Sequence, residues 1–386
     1  MPDEDEVSRL HHACFGGGPE RVAFAPGRIE FIGNHTDYNG GLVLGAAVEE
    51  GITAAGARRD DGTVALVSSE GPAVELSADS LAPLEGEDAW ANYPAGVAAI
   101  FREAGTDLGG GFSLAVTGDL PSGAGLSSSA ALELATAQVL AALFGRQMET
   151  AAMARLCRRA ENEFVGMPCG ILDQGVSAFG RAGHLVRIDC AAETFGTVPV
   201  PAGARFWIFN SNRKHALVDS AYADRHRECM EAAICLREAD PSVRTLSDVD
   251  EAGLRAHREL LGEPLFRRAL HVVSENARVR AVESALAGDD LEAVGEALNA
   301  SHESSRVNFE NSTEELDALA GWLNEQPGTY GARLTGGGFG GAVLALTGPG
   351  FGEREADRVR RAYAGAFGIE ASVLASAPGE GARLLV

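Results

Sequence analysis

Apolar positions along the chain gather into short runs separated by glycine-rich and polar stretches, and the spacing of those runs predicts the elements. Residues 112–118 (F-S-L-A-V-T-G) alternate and carry β-branched side chains, which predicts a strand. Residues 130–144 are an almost unbroken run of Ala, Leu, Val and Thr, with the length and propensity of a buried helix. Residues 21–48 read as two apolar strands around a polar segment holding Arg28, Asn34, His35, Asp37, Tyr38 and Asn39. Short strands joined by D-D-G and E-G-P turns are predicted over 52–80. A helix begins after Trp90 with Pro94 in its first turn, where a missing N–H costs nothing. An Arg- and Glu-rich helix is predicted over 151–164, one strand-like stretch over 184–200 and a buried strand over 205–210. A long helix carrying Tyr222 follows, then a helical region over 250–325 with a break near 308–312, then a glycine loop leading into a strand over 330–346. The P-V-P-A-G stretch at 199–203 marks a domain boundary, giving 1–200 and 201–386.

Between the strand at 112–118 and the helix after it lies P-S-G-A-G-L-S-S-S (121–129). Strand, glycine loop, serine cluster and helix make an anion cradle: glycines admit a ligand close to backbone N–H groups, and the helix N-terminus adds unpaired donors and a positive dipole end. The serines can cap the helix, bind phosphate oxygens or ligate Mg²⁺. No Gly-Lys-Ser/Thr follows, so this is not a Walker A loop; by itself the stretch is equally an ordinary Ser-capped helix. The polar segment after Arg28 has an analogous double reading. A turn accounts for Asn39 to Gly41 but not for Arg28, His35 and Asp37, which are expected to converge on a polar ligand. Asp173 is the single acid in G-M-P-C-G-I-L-D-Q-G (166–175), and alone such an Asp is more often a cap than a catalyst.

Composition narrows the class. At 386 residues, 45% hydrophobic and 23% charged, the chain reads as a globular protein with length for two domains. A net charge of −23 argues against nucleic acid and anionic membranes as partners. The six cysteines are scattered without metal-ligand spacing, and the N-terminus is acidic instead of signal-like, so a cytoplasmic protein with reduced thiols is expected. Lys214 is the only lysine, which leaves phosphate binding to backbone donors, Arg and metal.

Three glycine-rich segments in this order carry more than any one of them. The motifs at 25–41 (A-P-G-R-I-E-F-I-G-N-H-T-D-Y-N-G-G), 121–133 and 334–342 (L-T-G-G-G-F-G-G-A), with 166–174, N-S-N at 210–212 and Y-A-D-R-H-R-E-C at 222–229, resemble the GHMP kinase superfamily and, within it, the galactokinases. The resemblance covers nearly the whole chain. It implies an α+β, two-domain fold with the active site in the inter-domain cleft, and phosphoryl transfer from ATP to the anomeric hydroxyl of galactose. It implies catalytic roles for Asp173 and Arg28, and sugar contacts by Asn34, His35, Asp37, Gly170 and Tyr222. It further implies nucleotide contacts by Trp90, Gly123, Ala124, Gly125, Leu126, Ser127, Ser128 and Ser129, with Mg²⁺ held by Ser129 and Glu161. Its partners are then small molecules, the sugar and ATP, on a monomer or weak homo-oligomer. Kinases for arabinose, N-acetylgalactosamine or galacturonate are the neighbouring reading, and a catalytically silent sugar sensor is a third that the intact serine triplet and Asp173 oppose.

One departure bears on the sugar. The family usually has Glu where this chain has Asn34, and Asn where it has Glu30. Asn34 would hold a sugar hydroxyl without charge assistance and without repelling a carboxylate, so a weaker galactose KM and a laxer pocket are expected. In a regular strand positions 30 and 34 point to one face, which leaves Glu30 an indirect role.

Overall fold

In the protein, described by a computed structural model over residues 4–121, 125–213 and 218–386, the apolar run after the first polar segment forms one long strand. α1 (Glu4–Phe15) leads into β1 (Arg21–Ile32), this long β2 (Leu42–Arg58), and then β3 (Thr63–Ser68) and β4 (Val74–Ser77). α2 (Asn92–Glu103), β5 (Gly111–Gly118), α3 (Ser128–Leu143), α4 (Thr150–Arg159) and α5 (Leu172–Phe179) follow. The stretch read as one strand over 184–200 is a hairpin, β6 (His184–Asp189) and β7 (Thr194–Pro199). Glu193, at φ 47°, helps turn the chain between them.

The chain then enters a second sheet with β8 (Arg205–Asn210). The helices α6 (Val218–Ala239), α7 (Glu251–Ala256), α8 (Arg258–Leu261), α9 (Leu265–Ala287), α10 (Leu291–Ser304) and α11 (Glu314–Asn324) come next. It closes with β9 (Thr329–Thr335), β10 (Ala342–Thr347), α12 (Glu353–Phe367), β11 (Ser372–Ser376) and β12 (Arg383–Leu384).

β2 organises the first sheet because it is long enough to serve different partners at its two ends. Leu42 to Gly45 pair with β6, Ile52 to Arg58 with β5, and β1 runs antiparallel along the other side. Most of its side chains are small or β-branched, which lets the Ala-rich α3 pack closely on β1 and β2. The second sheet is antiparallel, in the order β11-β8-β10-β9. One apolar cluster joins the two sheets: Phe31 and Leu44 from the first meet Phe206 and Leu344 from the second, with Val279 and Val282 of α9. That contact fixes the end of β1 against the glycine loop after β9, and this is where polar side chains collect. Among the described residues no helix is long and apolar enough to cross a membrane.

Candidate functional site

Three cavities lie end to end along the N-terminus of α3. The first, about 820 Å³, is lined by Trp90, Tyr93, Pro72, Ser128 and Ser129. The second, about 320 Å³, shares Tyr93 and Ser128–Ser129 with the first and adds Arg28, Ser127 and Gly337. The third, about 340 Å³, shares Arg28 and Gly337 with the second and is lined by Glu30, His35, Asp37, Asp173 and Tyr222. A large cavity with two aromatic rings and a small one rich in carboxylates thus flank the serine-lined helix end, each sharing lining residues with the cavity between them.

Arg28 stands at the junction of the small cavities. Alternation on β1 turns it towards α5, and its Nε and Nη2 donate to Oδ1 of Asp173 at 2.8 and 2.7 Å. Its Nη1 donates to the carbonyl of Gly125 at 2.5 Å, which ties the strand to the glycine loop. The hydroxyl of Ser127 donates to Oδ2 of Asp173. Ser127 holds the left-handed conformation (φ 54°) just ahead of α3, so its side chain turns back towards α5 instead of capping its own helix. Asp173, read from the sequence as more often a cap, is thereby the acceptor for a guanidinium and a hydroxyl from two other elements. Gly125, Leu126 and Ser127 to Ser129 sit at this junction; Gly123 and Ala124 lie outside the described residues.

Asp37 and Gly170 form the far wall. A Cβ on Gly170 would lie 2.1 Å from Oδ2 of Asp37, so only glycine lets the loop reach that carboxylate. Burial, then the charge of Glu30, pushes the Asp37 carboxyl up to about 7. Tyr222 closes the side, its ring 5.4 Å from that of His35.

His35 and Asn34, expected to hold sugar hydroxyls, are engaged mainly by the protein. The His35 ring stacks on Phe309, accepts from the Tyr38 hydroxyl at Nδ1 (3.0 Å) and donates from Nε2 to the Gly337 carbonyl (3.0 Å). Burial holds it neutral, with its pKa lowered to about 3. Asn34 is fully buried: its Nδ2 donates to Glu30 Oε1 (2.9 Å) and the Gly336 carbonyl (2.8 Å), and its Oδ1 accepts from Asn311 (3.0 Å). Both residues touch the cavity wall while their polar atoms brace β1 against the third glycine loop.

Sequence reasoning gave one side chain, Glu30, only an indirect role and missed another, Glu133. Glu30 lines the small cavity, and it bonds Asn34 directly because β1 ends at Ile32 and Gly33 (φ 111°) breaks the alternation assumed between them. Glu133, a fully buried residue of α3, accepts from Gln174 Nε2 at 3.1 Å, and the same nitrogen donates to Glu161 Oε2 at 2.6 Å. The E-x-x-x-S spacing back to Ser129 was the available signal, since i and i+4 share a helix face. Burial and then repulsion from Glu161 push Glu133 well above the usual carboxylate range; burial and then Asp173 raise Glu161.

The expected Mg²⁺ ligands fit that ion. Both are hard oxygen donors, the Ser129 hydroxyl stabilises the Glu161 carboxylate, and a cation there would offset the repulsion that Glu161 shares with Asp173 and Glu133. Among the described residues no group of three or more His, Cys, Asp or Glu side chains stands together as a metal site.

Three family models match the chain. "GHMP kinases N terminal domain" covers 92–181, "Galactokinase galactose-binding signature" covers 9–58, and "GHMP kinases C terminal" covers 282–369. A galactokinase of Homo sapiens is 40% identical over 351 residues, 88% of this chain and 87% of that protein. One from Staphylococcus carnosus (strain TM300) is 38% identical over 337 residues, 86% of each. The crystal structure of Lactococcus lactis galactokinase complexed with galactose matches with a TM-score of 0.94 at 34% identity, covering 99% of both chains. A mevalonate kinase structure at 15% identity and TM-score 0.62 shares the fold alone.

Proposed function

The chain belongs to the galactokinases of the GHMP kinase family, ATP-dependent sugar kinases, and from that premise we propose that it transfers the ATP γ-phosphoryl group to the anomeric hydroxyl of galactose through the three linked cavities. The observation that carries the reading is the Arg28–Asp173–Ser127 group at the point where the serine-lined cavity meets the carboxylate-lined one. The adenine end of ATP occupies the large cavity beside Trp90, and its phosphates run past Ser128 and Ser129 to the junction.

The sugar lies in the small cavity with its reacting hydroxyl on Asp173. In the free protein the Ser127 hydroxyl occupies Oδ2 of that carboxylate, and the incoming hydroxyl takes its place. The hydroxyl oxygen attacks the γ-phosphorus as the bond to the bridging oxygen of ADP breaks, and its proton passes to Asp173. Phosphoryl transfer has a loose transition state, so proton removal is late and positioning with charge stabilisation dominates. Arg28 orients Asp173 and faces the equatorial oxygens of the group in transit. Mg²⁺, when held by Ser129 and Glu161, neutralises charge on the phosphates. Asp37 accepts sugar hydroxyls beside Gly170, His35 fixes the wall through Tyr38 and Gly337, and Tyr222 covers the ring. We place this activity in the cytoplasm on a monomer or weak homo-oligomer; all six cysteines are unpaired thiols, which agrees with a reducing compartment.

A coupled ADP-release assay across a panel of sugars tests the reading. Galactose should give the highest kcat/KM, and ADP release with another sugar alone would overturn it. Two side-chain roles are checked in the same assay. Ser129→Ala should raise the Mg²⁺ concentration for half-maximal rate about tenfold at fixed ATP; an unchanged Mg²⁺ titration would remove Ser129 from the metal site. Asp37 binds hydroxyls best as the carboxylate, and its pKa near 7 means that protonation weakens the site as pH falls. The galactose KM should therefore rise about tenfold from pH 8 to pH 6, and Asp37→Asn should flatten that profile. A steep profile surviving in Asp37→Asn would assign the titration elsewhere.

A further inference from the structure

One carboxylate in the sugar cavity is only half engaged. Glu30 is buried, and its Oε1 accepts from Nη2 of the fully buried Arg333 (3.0 Å) and from Nδ2 of Asn34 (2.9 Å). Among the described residues no hydrogen bond reaches Oε2, although Glu30 lines the cavity. Oε2 is not among the buried atoms left without a partner; it opens to the cavity, where a ligand donor can reach it. Asn34 cannot supply this contact, because both ends of its amide are already bonded to protein groups.

The position of Glu30 says which part of the ligand it meets. From Arg28 to Glu30 the register with β2 is regular (Arg28↔Ala47, Glu30↔Gly45), so the two side chains leave one face of β1 roughly 7 Å apart. Arg28 holds Asp173 at the phosphate end. Glu30 therefore stands about one sugar ring away from the reacting hydroxyl.

We propose that Glu30 is the specificity residue for the far edge of the sugar: Oε2 accepts a hydroxyl there, and its charge, beside Asp37 and Asp173, excludes sugars carrying a carboxylate. Arg333 and Asn34 fix its orientation from behind, so the acceptor is presented without rearrangement. The pocket is then stricter than Asn34 alone implied, selecting neutral hydroxylated sugars against uronic acids. This inference rests on the sugar-kinase reading above.

Kinetics of the full chain and of Glu30→Gln and Glu30→Asp, on galactose, its 2-, 3-, 4- and 6-deoxy forms and galacturonate, test it. Both variants should lose about 10- to 100-fold in kcat/KM on galactose, mainly through KM, and less than about threefold on either the 4-deoxy or the 6-deoxy sugar. The wild type should use galacturonate at least about 100-fold less well than galactose. Equal losses on every deoxy sugar would make Glu30 a packing residue and overturn the proposal, as would an unchanged galactose KM. Should neither variant fold, wild-type turnover of galacturonate within about tenfold of galactose overturns it. A wild type inactive on galactose and its deoxy forms would instead sink the kinase reading beneath it.

Discussion

Asp173→Asn should lower kcat on galactose by about 10² or more, some 3 kcal/mol in the barrier, while sugar binding stays largely intact. The amide keeps the shape of the carboxylate and can still accept one hydrogen bond, so the cavity wall changes little. It cannot take the proton, and it presents an N–H to Arg28 or to Ser127 where both now donate to oxygen. Steady-state kinetics with galactose KM and kcat separated, together with sugar binding by calorimetry, check this. Turnover near that of the wild type would show that the proton leaves by another route. Binding and turnover lost together would make Asp173 a structural clamp between β1 and α3.

Arg28→Lys should be nearly as costly, about 10²-fold in kcat/KM or more. The guanidinium sends two donors to Asp173 and a third to the Gly125 carbonyl, three directions that one ammonium on a flexible stem cannot reproduce. The substitution keeps the charge, so it separates charge from geometry. Thermal unfolding should show a modest loss of stability, since Arg28 is a buried partner of a carboxylate. The rate should fall much further. Full activity in Arg28→Lys would mean that positive charge alone suffices at the junction.

The strongest periodic runs were legible: β5, α3 and β8 follow from alternation, length and apolar continuity. The β6–β7 hairpin was not, because its turn uses C-A-A-E instead of glycine or asparagine, and a non-glycine residue at positive φ leaves no signature. Within the site, the residue types around Arg28, Asp37 and Asp173 marked polar chemistry, but their division of labour depends on tertiary contacts. That His35 and Asn34 bond to Gly336 and Gly337, some three hundred positions away, cannot be read from local pattern. The role of Glu30 was hidden for a similar reason: strand alternation stops at Gly33, and Arg333 arrives from the second sheet.

The return of the last strand has a consequence for how the molecule is made. β12 pairs with β1 at Ala23 and Phe24, and the main chain of residues 385 and 386 bonds to Val22. The sheet that β1 begins is therefore completed by a strand that follows the whole second sheet in chain order. Until β12 has been synthesised, β1 presents an open edge of unpaired N–H and C=O groups, the kind of surface that invites pairing with other nascent chains. The chain can collapse early around α3 and β2 but cannot cover that edge until β12 has emerged, and a fragment stopping at Pro199 would keep the edge open throughout its life.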